Sequence, residues 1–268
     1  MTRLQTDWIK DMEKELPQWA ENLEGQSNMS LFNLAALAGD ISRGRLKSAS
    51  WRVKIGVVPV TSGLGLINTF CQQVAGIIRH MGFEVFITEA TDVSGIYEAT
   101  QMGAGVIFLA DDTYFLALNM SKNLVAENSD ATARGFVAAL EGAAGGLRDK
   151  EVLVIGGGRV GRSALHFLKC RGADGVLYDN NEAVLGEFKK QGFNVVRSIE
   201  DIKKYPLVVD CSFSEAGWLH KEMLHPDLWF ASPAVPLSLD AEAAEYFQNR
   251  LIHDLLQLGV ITMLAMVC

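Results

Sequence analysis

The chain has 268 residues, 49% of them hydrophobic, so it is long enough for two domains of ordinary size and rich enough in apolar side chains to bury a substantial core. Its net charge is −8 with no basic run, which argues against nucleic acid or an anionic membrane as the main partner. The opening residues lack an apolar signal core, and the longest apolar runs, such as residues 259 to 268, are too short to span a bilayer. A soluble, cytoplasmic globular protein is therefore expected. Cys71, Cys170, Cys211 and Cys268 are scattered without a Cys-x-x-Cys, so neither a disulfide framework nor a metal site is indicated and buried reduced thiols are expected.

In chain order, residues 7 to 24 carry Trp8, Ile9, Met12, Leu16 and Trp19 at helical spacing, with Asp7 as N-cap and Pro17 marking a break or restart. Ser30 opens a second helix whose apolar face is Leu31, Leu34, Leu37 and Ile41. Residues 53 to 60 read as a continuous apolar strand, 61 to 65 as a turn, and 66 to 80 as a helix. A strand over 83 to 88, a helix over 92 to 102 and a strand over 106 to 110 follow. This alternation predicts a parallel α/β unit. Asp130 reads as the N-cap of an alanine-rich connecting helix over 131 to 142, which Gly145-Gly146 ends.

Residues 151 to 155 form a buried strand that runs into Gly156-Gly-Gly-Arg159-Val160-Gly161 and a helix, the G-x-G-x-x-G dinucleotide fingerprint. Gly156 permits the sharp turn, Gly158 lets backbone approach a pyrophosphate, and Gly161 lets helix pack closely on strand. The first helical turn, with Arg159 and Val160, offers free N–H groups and the positive end of a dipole. A second short strand ends in Asp179, 21 residues after Gly158, where a carboxylate binds the ribose hydroxyls of NAD. Asp179 is followed by Asn180 and Asn181 and not by a cation, which favours NAD over NADP. Further strands are expected over 194 to 197, 207 to 210 and from Trp229, and a helical tail over 241 to 258 with Leu251, Leu255 and Leu258 on one face.

The fold class expected is thus α/β in two lobes, packed around one cleft. Residues 1 to 129 form a small parallel α/β lobe with amino-terminal helices, 130 to 147 the connecting helix, and 148 to 268 a Rossmann dinucleotide-binding lobe whose last helix returns to the first. In such sheets ligands bind beyond the carboxyl ends of the strands. In the first lobe those ends carry Val60-Thr61-Ser62-Gly63, with hydroxyls and N–H groups, and Ala110-Asp111-Asp112, with Asn119 a few residues on. Adjacent acids suit a cationic amine, and one with a raised pKa exchanges protons. The bland alternative is a loop pair capping a short helix from Thr113. In the second lobe Cys211-Ser212 and Ser232-Pro233 follow strand ends that face the nicotinamide half of a cofactor. None of the five histidines stands beside these ends, so none is assigned as a base; that fits a reaction in which hydride transfer does the hard work.

Several uncommon stretches together resemble the pyrrolysine synthase family: Gly56-Val-Val-Pro-Val-Thr-Ser-Gly63, Asp92-Val-Ser-Gly-Ile-Tyr-Glu-Ala99, Leu109-Ala-Asp-Asp-Thr-Tyr-Phe-Leu-Ala117, the fingerprint, and Ala231-Ser-Pro-Ala-Val-Pro236. The resemblance covers most of the chain and implies an NAD-dependent amine dehydrogenase. Its substrate is a dipeptide-like diamine, a 3-methyl-D-ornithyl group joined to the side chain of L-lysine. The terminal amine is oxidised, ammonia leaves, and the aldehyde closes a pyrroline ring on the remaining amine. The resemblance implies a substrate pocket on Leu4, Gln5, Val60, Ser62, Ala110 and Asp111, with Asp111 holding the ammonium. Gln5 stands where the family can carry a hydroxyl, and residues 126 to 132 match weakly, so Thr132 receives no role. Oligomeric state is left open. Two other readings compete: a shikimate-like two-lobed dehydrogenase, which needs a lysine near the first-lobe strand ends where Lys54 lies at the wrong end, and a non-catalytic NAD-sensing module, which needs no polar pocket.

Overall fold

The computed structural model describes residues 5–65, 67, 69–213 and 215–268. The chain divides into two compact units, one built from the residues up to Asn22 with Ser30–Gly135 and Leu256–Cys268, the other from Leu23–Met29 and Phe136–Leu255. Both units are α/β.

The first unit opens with α1 (Thr6–Ile9), α2 (Met12–Ser27), α3 (Leu31–Ala38) and α4 (Arg43–Ser50). Pro17 does not interrupt α2. The break falls earlier, at residues 10 and 11, and Pro17 sits inside α2 in its second turn, where it lacks the N–H that would bond the Glu13 carbonyl. The Gln73 side chain accepts from Glu13 N, satisfying one first-turn donor. Ser30 caps α3 as expected, its hydroxyl accepting from Asn33 N.

Next come β1 (Lys54–Val58), α5 (Phe70–His80), β2 (Glu84–Ile87), α6 (Asp92–Gln101), β3 (Val106–Ala110), β4 (Phe115–Asn119) and β5 (Leu124–Glu127). The sheet order is β2-β1-β3-β4-β5. The first three strands are parallel, but β4 and β5 are antiparallel additions, so the sheet is mixed and no helix starts at Thr113. The reversal is local: Asp111 N donates to Tyr114 O at 2.9 Å, folding β4 straight back on β3. The connecting helix α7 (Asn128–Ala143) starts two residues before its expected cap. Glu127 serves its first turn, accepting from Ser129 Oγ and Asp130 N, while Asp130 pairs with Arg134 one turn on.

The second unit contains β6 (Glu151–Ile155), α8 (Arg159–Cys170), β7 (Asp174–Tyr178), α9 (Glu182–Lys190), β8 (Asn194–Val196), β9 (Leu207–Asp210), β10 (Trp229–Ser232), α10 (Ala241–Tyr246) and β11 (Leu251–His253). Its sheet order is β11-β10-β9-β6-β7-β8 and every pairing is parallel. This is the six-stranded doubly wound arrangement, with the order reversing between β6 and β9.

The tail is not one helix. It breaks after Tyr246 and leaves a parallel edge strand, β11, in register with β10, before α11 (Gln257–Val267) begins. Pairing with β10 satisfies backbone groups of β11. α11 is apolar on all sides and buried almost throughout, packing in the first unit against α3, α5, β4 and β5. Glycines permit this contact: a Cβ at Gly135 of α7 would stand 2.8 Å from Thr262 Oγ1 and 3.1 Å from Leu258 O. Gly135→Val is expected to cost about 1–3 kcal/mol by overpacking, measured as a lowered midpoint in denaturant unfolding with unchanged slope; an unchanged midpoint would show that this contact has slack.

Candidate active site

In the second unit the backbone carries out each glycine role in the fingerprint. Gly156 has φ +90°, and a Cβ there would lie 2.9 Å from Cys211 O and 3.0 Å from Ser212 Cα. A Cβ on Gly161 would fall 1.8 Å from Gly156 O, so helix and turn touch through bare backbone. Gly157 is small because a Cβ would meet Val184 Cγ1 at 2.5 Å, a packing role. Gly158, in contrast, faces open space: no atom lies within 4 Å of where its Cβ would be. It is the N-cap of α8, no side chain caps that terminus, and Arg159 stands exposed and Val160 half-buried in the first turn. This combination fits a phosphate, because the N–H groups and dipole end are unobstructed by side chains.

Asp179 lies against the same turn. Its Oδ2 accepts from Gly157 N at 2.7 Å and its Oδ1 from Asn181 N at 2.8 Å. The N-cap of α9 is Asn181, which accepts from Ala183 N, so Asp179 is not the cap of that helix. Asn180 beside it is exposed.

The ends of β9 and β10 are tied by a residue to which no role was assigned. Asp210, fully buried, accepts from Ser232 Oγ at 3.0 Å, from Ser238 Oγ, and from Ser212 N at 3.1 Å. Burial pushes its carboxyl above the ordinary value, and the serine donors oppose that push. Cys211 N donates to Ile155 O, holding this segment beside β6, and half-buried Pro233 follows Ser232. His253 does stand at a strand end, contrary to expectation, because β11 is a strand and not part of a helix. Its Nδ1 meets Ser232 O at 2.7 Å, and burial holds the imidazole below its usual value against the opposing pull of that carbonyl and of Asp210. The one signal available beforehand is the acid closing the buried run Leu207-Val-Val-Asp210.

In the first unit the residues 61 to 65 after β1 are clamped by acids. Asp92, at φ +56°, accepts from Thr61 N at 2.8 Å and Thr61 Oγ1 at 2.6 Å. Asp112 Oδ2 accepts from Leu64 N at 2.6 Å, and a Cβ on Gly63 would lie 2.1 Å from that oxygen. Between them Asp111 Oδ1 accepts from Thr113 N and Tyr114 N, each at 2.7 Å, so its Oδ2 is not engaged by the turn. Those Tyr114 and Thr113 N–H groups hold the Asp111 carboxyl below its usual range. The acid therefore stays charged near neutral pH, as suits the holding of a cation. Ser62 is exposed, and Val60 and Ala110 are half-buried at their strand ends.

Asn119 is separated from this group. The antiparallel turn carries it to the far end of β4, opposite Leu124, where its side chain donates to Val267 O at 2.8 Å and accepts from Ser121 Oγ and Lys122 N. It is a buried structural residue, not a substrate ligand. Gln5 is exposed and its carbonyl accepts from Trp8 N at the start of α1, while Leu4 lies outside the described residues. Cys170 is exposed, against the expectation of buried thiols, since it ends α8 on its solvent side; all four cysteines are free. Among the described residues no group of three or more His, Cys, Asp or Glu could hold a metal ion, and no helix is long and apolar enough to cross a membrane.

Two solved structures share the fold. They are shikimate 5-dehydrogenase from Thermus thermophilus in complex with NADP(H) and shikimate (TM-score 0.50, 13% identity, 80% of this chain and 90% of that one) and quinate dehydrogenase from Corynebacterium glutamicum in complex with NAD (TM-score 0.50, 14% identity, the same coverage). In sequence, residues 9–126 match the family described as pyrrolysine biosynthesis protein PylD, N-terminal domain. A pyrrolysine synthase from Methanosarcina acetivorans is 30% identical over 213 residues, 79% of this chain and 81% of the relative. One from Methanosarcina barkeri is 32% identical over 213 residues, 79% of this chain and 80% of the relative, and on that extent of likeness the chain belongs to the pyrrolysine synthase family.

Proposed function

We propose that this chain is an NAD-dependent amine dehydrogenase that completes pyrrolysine from 3-methyl-D-ornithyl-L-lysine. The observation that carries the reading is the sequence match to pyrrolysine synthases over four fifths of their length, which runs through both units. The fingerprint turn and the α8 terminus would hold the pyrophosphate, and Asp179 the ribose hydroxyls. Asn180 and Asn181 next to it offer no cation to a 2′-phosphate, which supports NAD. Bound there, the nicotinamide supplies a hydride acceptor.

The terminal ammonium must shed a proton before its carbon gives up hydride. The imine that forms takes up water and releases ammonium, leaving an aldehyde. The remaining ornithyl amine condenses with that aldehyde, returning the water and closing the ring. Asp111, charged and with Oδ2 available, would hold an ammonium of the substrate; because its carboxyl is held low, it orients the substrate and does not take up its proton. Ser62, on a turn fixed at both ends by Asp92 and Asp112, would offer a hydroxyl, and Leu4, Gln5, Val60 and Ala110 would complete the pocket by family resemblance. The shikimate-like alternative loses its lysine: Lys54 pairs with Glu84 at 3.2 Å and covers Phe86 at the amino end of β1.

Incubated with NAD and 3-methyl-D-ornithyl-L-lysine, the protein should generate reduced-cofactor absorbance and a product of pyrrolysine mass; NAD binding without turnover would point to another small metabolite. Asp111→Asn keeps an oxygen for the Thr113 and Tyr114 N–H groups while removing the charge. Its kcat/KM should fall by about 30- to 1000-fold, as expected for losing a charge-assisted bond to an ammonium, with NAD affinity intact, and undiminished turnover would remove the assignment. Asp179→Ala should weaken NAD by about 10- to 100-fold, the loss of two hydroxyl bonds to a carboxylate. Calorimetric titration checks this, and an unaltered Kd would refute the ribose role.

A further inference from the structure

Asp210 has no place in the scheme above, yet it is the buried acid to which three serines at the carboxyl edge of the second sheet are tied. Its strand partner in β6 is Ile155, one residue before the fingerprint turn, and the segment that follows it, Cys211-Ser212, is the backbone that a Cβ on Gly156 would strike. The donors to its side chain, Ser212 N and its hydroxyl, Ser232 Oγ and Ser238 Oγ, are all neutral. The direction at Ser232 is consistent with this, because that hydroxyl oxygen accepts from Ala234 N at 3.3 Å and so gives its own proton to Asp210. Ser232 O in turn accepts from His253 Nδ1, which places a proton on that atom, while burial holds the imidazole pKa below its usual value. These donors favour the ionised carboxylate, whereas burial opposes ionisation and raises its pKa, and among the described residues no lysine or arginine pairs with it to offset that burial.

An ionised carboxylate held dry by hydroxyls is costly unless positive charge stands nearby. Resting on the cofactor reading above, the nicotinamide half lies along the ends of β9 and β10, the strands that this network joins. The nicotinamide ring is positive in the oxidised cofactor and neutral in the reduced one. We propose that Asp210 is a positioning residue of the cofactor site, which fixes the Cys211-Ser212 and Ser232-Pro233 segments and supplies the negative charge that makes the site prefer oxidised over reduced nicotinamide. The preference suits an enzyme that must take up NAD and release its reduced form.

The test needs no substrate. Affinities of the full chain for NAD, NADH and ADP-ribose are measured by calorimetric titration in the wild type, Asp210→Asn, Asp210→Ser and Ser238→Ala. Asparagine can accept from Ser212 N and donate to a serine hydroxyl, so it removes the charge with the network kept; serine serves if the amide is not accommodated. The ratio Kd(NAD)/Kd(NADH) should rise about fivefold or more in the charge-free variants, the size of a single Coulomb interaction across a partly screened distance. ADP-ribose, which lacks the ring, should change little. Ser238→Ala keeps the charge and should weaken both forms alike, leaving the ratio in place. A ratio unmoved in both Asp210 variants, with NAD still bound, overturns this proposal alone. Failure of the wild type to bind either form overturns the cofactor reading and this proposal together.

Discussion

The second unit depends on one close approach, the contact of the first turn of α8 with the backbone oxygen of Gly156. A helix can come that near to a strand end only if no side chain stands between them, and at Gly161 even a methyl group would overlap the oxygen. The closeness brings the helix terminus over the end of β6 and packs Gly157 against Val184 and Phe188 of α9. It also leaves Gly158 facing open space, with the carboxylate of Asp179 bound to the same turn. An uncapped helix terminus with open space before it and a carboxylate at its side are thus consequences of packing a helix tightly on a parallel strand.

Acids take a second organising part at the carboxyl ends of strands in both units. Asp92 and Asp112 tie down the residues after β1, Asp111 folds β4 back on β3, Asp179 holds the glycine turn, and Asp210 ties two strand ends. Each accepts backbone N–H or hydroxyl protons, which is how an irregular turn is stabilised where no ladder or helix serves its backbone. A chain with net charge −8 therefore commits several of its negative charges to local structure, and only some atoms remain to meet a ligand. At Asp111 the division is visible within one side chain: Oδ1 belongs to the turn and Oδ2 does not.

The strand, turn and helix over residues 151 to 170 are legible in the sequence because each glycine answers a separate steric demand and the flanking runs are long and apolar. The parallel core of the first unit is legible for the same reason. β4 and β5 are not: Leu116 and Leu118 face the less buried side, so the alternation with Phe115 and Ala117 is masked by leucines on both faces. With the hairpin hidden, Asn119 stays near Asp111 in sequence and moves far from it in the sheet. β11 is three residues long, too short for any period to declare itself, and His253 goes unnoticed with it. The Asp210 network draws on residues 210, 212, 232 and 238, whose proximity is a product of sheet order and leaves no spacing rule in the chain.

The burial of α11 within the first unit has a consequence for synthesis. The first unit's core needs residues from 256 onward, and these leave the ribosome after the whole of the second unit has been made. Until residues 257 to 267 are made, α3, α5, β4 and β5 lack the apolar helix that packs on them. The first unit is thus closed by residues that lie beyond the whole of the second unit in the chain.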